Sequence, residues 1–420
     1  MKPPDEHISR IATVVPYYIL AAVSFVIFQA LLIVSLPEIH LHYFQPKLLA
    51  LTHLFVLGWG TMTIFGAANQ LVPVIAETRL YSSVLPVLNW ILLTIGIPLL
   101  IWSFWVFQLT WITYTGASLI IIAIILHAFN IYKSISAGKS NIITDILLMA
   151  HAWLFITGSI GLLLLINLIS PLFPEEHLHY LKIHAPVGMA GWFLQLIIGV
   201  SARLVPMFIL SRKENTKLLN VTFYTLNTGL ALFLIEGMIF HSFHGRYVYL
   251  LLVITGLTAY AAYIQGCYKS ALRKQKDAGM RQTFVAIGFI LVALVLFFIV
   301  ICMGAGVPPY ITTMFGLAFF CGLVTIIIMG QTFKTLPFII WMHITKPNSL
   351  PELMPKDLFN ETWVNIQLWF YLPGLLLLLI GLACNLTITL HTGAILMLIA
   401  AIIYTVHVLY VTGKLKTKLL

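Results

Sequence analysis

The stretch GWGTMTIFGAANQLVP, from Gly58 to Pro73, aligns without a gap with GWFLQLIIGVSARLVP, from Gly191 to Pro206. A third stretch, GLVTIIIMGQTFKTLP from Gly322 to Pro337, keeps the same frame: one glycine fifteen residues and another seven residues before a proline. Small residues let apolar helices approach closely inside a membrane. A proline cannot donate a backbone hydrogen bond and should bend or end its helix. Gly58, Gly66 and their counterparts are therefore expected where three equivalent helices pack at the centre. A second echo, NIYKS (130–134) and GCYKS (266–270), closes two further segments. Working outward, the chain reads as three pseudo-symmetric four-helix units, with pseudo-repeats 11–140, 144–278 and 282–415.

Composition agrees. The chain is 60% hydrophobic and 9% charged with mean hydropathy +1.01, where soluble globular chains carry roughly a quarter charged residues. Apolar runs long enough to cross a bilayer, about 20 residues each, lie at 11–35, 46–76, 85–107, 111–132, 144–170, 180–210, 219–242, 247–268, 282–304, 308–340, 364–386 and 391–411. The expectation is an all-α polytopic membrane protein of twelve transmembrane helices, a single membrane domain over 1–420 whose main partner is the lipid bilayer.

Lys and Arg are retained in cytoplasmic loops. The loops after even-numbered spans hold Arg79, Lys133, Lys139, Arg212, Lys213, Lys217, Lys269, Arg273, Lys274, Lys276, Arg281, Lys346 and Lys356, and the tail adds Lys414, Lys416 and Lys418; the opposite loops hold Lys47, Lys182 and Arg246. Both termini are expected to be cytoplasmic. Orientation accounts for the net charge of +10, and no nucleic-acid partner is expected. No cleavable leader is expected, because the first ten residues are polar and the first apolar run is long enough to remain as a span. Cys267, Cys302, Cys321 and Cys384 are too scattered to suggest disulfides or a thiolate metal site. Three polar residues, Gln70, Arg203 and Lys334, each stand three before a repeat proline, either functional at membrane depth or snorkelling to the nearby interface.

Histidine is unevenly placed. In this topology His40, His42, His53, His177, His179, His184, His241, His244 and His391 fall in the outer half, and His127, His151, His343 and His407 toward the inner side. Imidazole is the commonest biological metal ligand. His53 lies five residues before its repeat glycine and His184 seven before its own, so the two leave equivalent helices from nearly opposite sides, about 200° apart. In a threefold ring that permits a heme held between spans 2 and 6. At the end of span 7, IEGMIFHSFHGRY places His241 and His244 three apart, expected on one helical face. With His184 they would give three nitrogens suited to copper, in competition with the heme for His184. Glu236 on the same helix is either part of that chemistry or a buried acid.

Spans in three four-helix arcs, with His53 in span 2, His184 in span 6 and His241 and His244 at span 7, resemble the catalytic subunit I of heme-copper oxidases. In that family span 10 carries two histidines. Here it reads TTMFGLAFFCGLVTIIIMG and has none, and Ser242 and Phe243 separate the span 7 pair. The chain is thus more similar to divergent single-subunit relatives, the heme- and copper-containing NnrS proteins of nitric oxide metabolism. The resemblance implies heme b and, as a second metal, copper, in a bacterial inner membrane, with electrons from a periplasmic or membrane donor. It also implies no reduction of oxygen to water, since Met314, Cys321 and Met329 are the soft donors left in span 10 and are better suited to packing. The alternative expectation is a metal-ion or small-molecule transporter, since internal repeats are also a carrier architecture, with the outer histidines as its loading site.

The phrase PEIHLHY (37–43) returns as PEEHLHY (174–180), just before the two spans that carry His53 and His184, and GVPPYITT before span 10 lacks it. In an extended conformation the imidazoles of His40 and His42, or of His177 and His179, share one side and could hold a metal or a heme propionate. In a helix they would diverge, favouring capping over chelation. The loop charges generate the first prediction: reporters fused after Lys139, Arg212 or Lys276 read cytoplasmic and one near His42 reads external, and the opposite pattern inverts every placement above.

Overall fold

The computed structural model describes residues 6–212, 214–272, 277–345 and 354–415. Among them are twelve helices long and apolar enough to cross a membrane: α1 (Ile11–Glu38), α2 (Pro46–Ile75), α3 (Val84–Val106), α4 (Trp111–Ser136), α5 (Ile142–Ile169), α6 (His177–Ile209), α7 (Thr216–Ile239), α8 (Arg246–Lys269), α9 (Ala278–Met303), α10 (Pro309–Ile344), α11 (Glu361–Cys384) and α12 (Thr387–Gly413). The protein is an all-α polytopic membrane protein, and each expected span matches its helix to within four residues at either end. Lys213, Arg273, Lys274, Lys276, Lys346, Lys416 and Lys418, used for the orientation, lie outside the described residues.

The three repeat helices are the most enclosed. Of their most apolar windows 72% (α2), 78% (α6) and 50% (α10) of residues are buried, against 44% or less in the other nine. All three also leave α-helical geometry at the same repeat position. π-Helical turns occupy Leu54–Thr61, Val187–Leu194 and Ala318–Val324, each starting four residues before the first repeat glycine.

The chain forms two compact units. One comprises Met1–Asn69, Pro86–Leu119 and Asp277–Leu420, the other Gln70–Leu85 and Ile120–Lys276. In the first, Phe25 stacks on Trp59 (ring centroids 4.3 Å) and Tyr404 meets Trp59 edge-on (5.1 Å). The Trp59 indole donates to Thr325 Oγ1 at 3.1 Å, and the Tyr371 hydroxyl donates to the Cys321 carbonyl at 3.0 Å. Helices α11 and α12 touch through glycine: a Cβ on Gly393 would stand 2.6 Å from the Gly374 carbonyl oxygen, and one on Gly374 would stand 2.8 Å from that of Gly393. The largely buried Lys334 side chain is paired with Asp277 at 2.6 Å.

In the second unit a buried cluster of Trp153, Ile160, Leu164, Tyr180, Ile183, Val187 and Leu230 joins α5, α6 and α7. Asn227 Oδ1 accepts from the Trp153 indole (2.7 Å) and from Gln195 Nε2 (2.8 Å). The YKS echo has a physical meaning here. Ser134 Oγ accepts from the Tyr81 N–H at 2.9 Å in the loop after α2, and Ser270 Oγ shares a 2.9 Å hydrogen bond with Ser211 Oγ in the loop after α6. Lys139 reinforces the first loop: its N–H reaches the Ala76 carbonyl at 2.8 Å. Its ammonium, 2.6 Å from Glu77, holds that exposed carboxyl below its ordinary pKa.

Helices α2 and α6 end alike. Four residues after each repeat proline a residue turns left-handed, Glu77 (φ 50°) and Leu210 (φ 52°). The next N–H returns to the proline carbonyl, Thr78 to Pro73 and Ser211 to Pro206, both at 2.9 Å. Helix α10 instead runs past Pro337 to Ile344.

Gly191 faces Trp153, whose Cβ and Cγ would be 2.7 Å from an added Cβ, whereas Gly266 has open space. Gly191→Ala and Gly393→Ala should each cost about 1–3 kcal/mol through overpacking, read as a lower thermal midpoint in detergent, while Gly266→Ala should leave the midpoint unchanged or raise it.

Candidate functional site

Helix α2 begins at Pro46, where a missing N–H costs nothing, and His53 stands directly before its π-turn. Its Nδ1 lies 2.8 Å from the Leu49 carbonyl. A carbonyl oxygen only accepts, so Nδ1 carries the proton and Nε2 keeps its lone pair. The half-buried ring meets Phe104 edge-on at 5.0 Å. His184 stands three residues before the π-turn of α6, also half-buried. Its ring lies over Gly161, where a Cβ would come within 3.0 Å of Cε1; the glycine makes the room. The two histidines belong to different compact units.

The expected single face for His241 and His244 is corrected by the structure. Helix α7 stops at Ile239, and His241 has left-handed backbone (φ 49°) in the following loop. The cause is Glu236, whose carboxylate accepts from Ser242 Oγ (2.9 Å), the His244 N–H (2.8 Å), the Gly245 N–H (3.1 Å) and the Tyr249 hydroxyl (2.5 Å). It gathers the loop that a helix would have extended through. His241 Nδ1 meets the Tyr180 hydroxyl at 3.3 Å, and the His244 side chain is 94% exposed. Among the described residues no three His, Cys, Asp or Glu side chains form a group able to hold a metal, so His184, His241 and His244 are not gathered there.

The duplicated phrase adopts two conformations. In the second copy α6 begins at His177, and the imidazoles diverge: His177 Nδ1 lies 3.4 Å from Asn167 Nδ2, while His179 Nε2 donates to the Gly237 carbonyl at 2.9 Å. Tyr180 is buried and stacks on Phe173 at 4.0 Å. This copy ties the start of α6 to its neighbours. The first copy is a turn after the short 3-10 segment Leu36–Glu38. There Glu38 pairs with Lys47, and its carbonyl accepts from Gln45 Nε2 at 2.7 Å. His42 is exposed, accepts from the Phe44 N–H at 3.1 Å and lies on Tyr43, whose hydroxyl is raised in pKa by burial. His40 is half-buried with Nε2 enclosed.

Sequence reasoning passed over a further pair. His127 on α4 and His151 on α5 are 2% and 3% exposed, with ring centroids 5.3 Å apart, and the Trp192 ring lies 5.2 Å from His151. They stand on different helices without a shared motif. The available signal was a histidine inside each of two apolar runs, at similar distances from the loop that joins them.

No protein-family model matches this chain, and no curated protein matches it.

Glu236 therefore carries a structural role that can be measured. Glu236→Ala strands several loop donors and should lower stability by about 1–3 kcal/mol, seen as a fall in thermal midpoint, with Glu236→Gln intermediate because it retains one acceptor oxygen.

Proposed function

We propose that this chain is a membrane-embedded heme-binding protein of redox or nitric-oxide-related chemistry, with His53 and His184 as iron ligands. The supporting observation is the coincidence of an imidazole with a π-turn. His53 directly precedes one π-turn, and His184 stands three residues before the other. π-Turns inside helices are frequent at functional sites.

The donor chemistry of His53 fits. Metal-bound histidine commonly donates its other ring nitrogen to a carbonyl, which fixes the tautomer, and the bond from Nδ1 to Leu49 leaves Nε2 for iron. Gly161 gives the His184 ring clearance that any larger residue would remove. Bound heme would supply reversible one-electron chemistry. The chain's own part is to set tautomer, orientation and exclusion of water around each imidazole. Copper is not included in the proposal, because the described residues offer no three-nitrogen group.

A transporter is the second reading, favoured by one observation: three central helices depart from regular geometry along their length, and carriers place substrate at interrupted helices. Absorption spectra of purified protein, oxidised and dithionite-reduced, separate the two. His53→Ala and His184→Ala should each diminish the heme bands. His391→Ala should not, since that residue lies on α12, which contains no π-turn. A wild-type protein without heme bands that moves metal ions into proteoliposomes would replace this reading with transport.

A further inference from the structure

Within the second unit, α4, α5 and α7 leave a groove of about 460 Å³ whose lining includes Tyr132, Met149, Ala152, Phe155 and Phe223, with Asp145 at one end. Tyr132 (54%) and Phe155 (45%) are exposed, and exposed faces of membrane-spanning helices meet lipid. The groove therefore opens sideways into the hydrocarbon. From Asp145 to Phe155 it follows ten residues of α5, about 15 Å, and the hydrocarbon core of a bilayer is about 30 Å thick. The groove is as long as one leaflet is deep.

Asp145 stands at the membrane-surface end of that run, in the first turn of α5. A carboxylate in a first turn ordinarily serves the start of its helix, but this start is already served. Asn141 Oδ1 accepts from the Ile143 N–H at 3.0 Å and the Thr144 N–H at 3.1 Å, and Thr144 Oγ1 accepts from the Asn141 N–H at 2.8 Å. Asp145 is exposed and enters no ion pair among the described residues. An anion with no task inside the protein is thus held at the mouth of an apolar groove.

We propose that this groove seats one acyl chain of a phospholipid with a primary-ammonium headgroup, the ammonium resting on the Asp145 carboxylate. A chain lying along α5 from Phe155 brings its own headgroup to Asp145, because lipid and helix place their polar ends at the same interface. Charge then selects among headgroups. A net-anionic phosphoglycerol headgroup is repelled by the carboxylate, and a trimethylammonium group offers it no N–H, whereas a primary ammonium makes charge-assisted hydrogen bonds. Exposed ion pairs are weak, so the selection is a few-fold. Seating of the lipid does not depend on the heme reading.

The test counts lipid adducts on the full chain in detergent by native mass spectrometry, at matched concentrations of dioleoyl phosphatidylethanolamine, its N-methyl and N,N-dimethyl derivatives, phosphatidylcholine and phosphatidylglycerol. The first adduct of phosphatidylethanolamine should form about threefold more readily than that of phosphatidylcholine, and the advantage should fall with each added methyl. Asp145→Asn should bring phosphatidylethanolamine to the level of phosphatidylcholine with the far-UV circular dichroism unchanged. Ala152 is exposed, so Ala152→Trp can fill the groove without disturbing the core and should lower the first adduct of every lipid. Equal occupancy by phosphatidylethanolamine and phosphatidylcholine, or tighter binding of phosphatidylglycerol, would overturn the proposal. So would a preference that survives Asp145→Asn, or occupancy untouched by Ala152→Trp, which would put the lipid elsewhere on the chain.

Discussion

A membrane interior offers no water to a backbone group, so each carbonyl or N–H released from a helical ladder must find a partner inside the protein. That constraint falls hardest on α2, α6 and α10, which each contain a π-turn. Around them the partners are visible. Tyr371 donates to the carbonyl of Cys321 within the π-turn of α10, and Thr63 Oγ1 donates to the carbonyl of Trp59 within that of α2 at 2.8 Å. Burial of these three helices beyond all others follows from the same need, since a widened turn is tolerated only where neighbouring side chains can reach it.

Much of the fold was legible because the membrane imposes its length on the sequence. Among the described residues twelve apolar runs gave twelve membrane-length helices, and the glycine frame marked the three most enclosed. The repeated serine of YKS was legible as a pattern but not as a function; its role in holding the loops after α2 and α6 needs the partner Tyr81 or Ser211, neither of which any local pattern identifies. The π-turns had no sequence signal at all. Their residues, LFVLGWGT, VGMAGWFL and AFFCGLV, are apolar and small like any packed transmembrane segment. The end of α7 was misplaced because apolar periodicity continues through Met238 to Phe240, whereas the actual stop is set by Glu236 capturing N–H groups eight and nine residues ahead.

The candidate site was legible in part for similar reasons. His53 and His184 stood out by residue type and repeat register. The fate of the duplicated HLHY did not, because identical letters fold differently under different flanks. In the first copy Gln45 precedes Pro46, and a residue before proline is driven out of the α region; Gln45 is accordingly extended (φ −143°, ψ 156°) and no helix can run from His40 into α2. The second copy meets no proline before Pro186, so its helix starts at His177. Measured to the repeat glycine, Tyr43 lies fifteen residues away and Tyr180 eleven. The extra four residues are the turn.

The third arc shows which features travel together. It keeps the glycine frame, the proline and the π-turn, so the packing of its central helix is retained. It lacks both the HLHY phrase and an imidazole ahead of the π-turn, and α10 continues to Ile344 instead of closing four residues after the proline. At its repeat position Lys334 is engaged by Asp277, the residue that caps α9 through the Met280 N–H at 3.0 Å. A π-turn is therefore compatible with pure packing in one arc while two others pair it with histidine. The π-turn by itself therefore does not mark a ligand site. What distinguishes α2 and α6 is the imidazole added beside it, with an intrahelical bond in α2 and a facing glycine beside the α6 ring leaving each histidine in a defined pose.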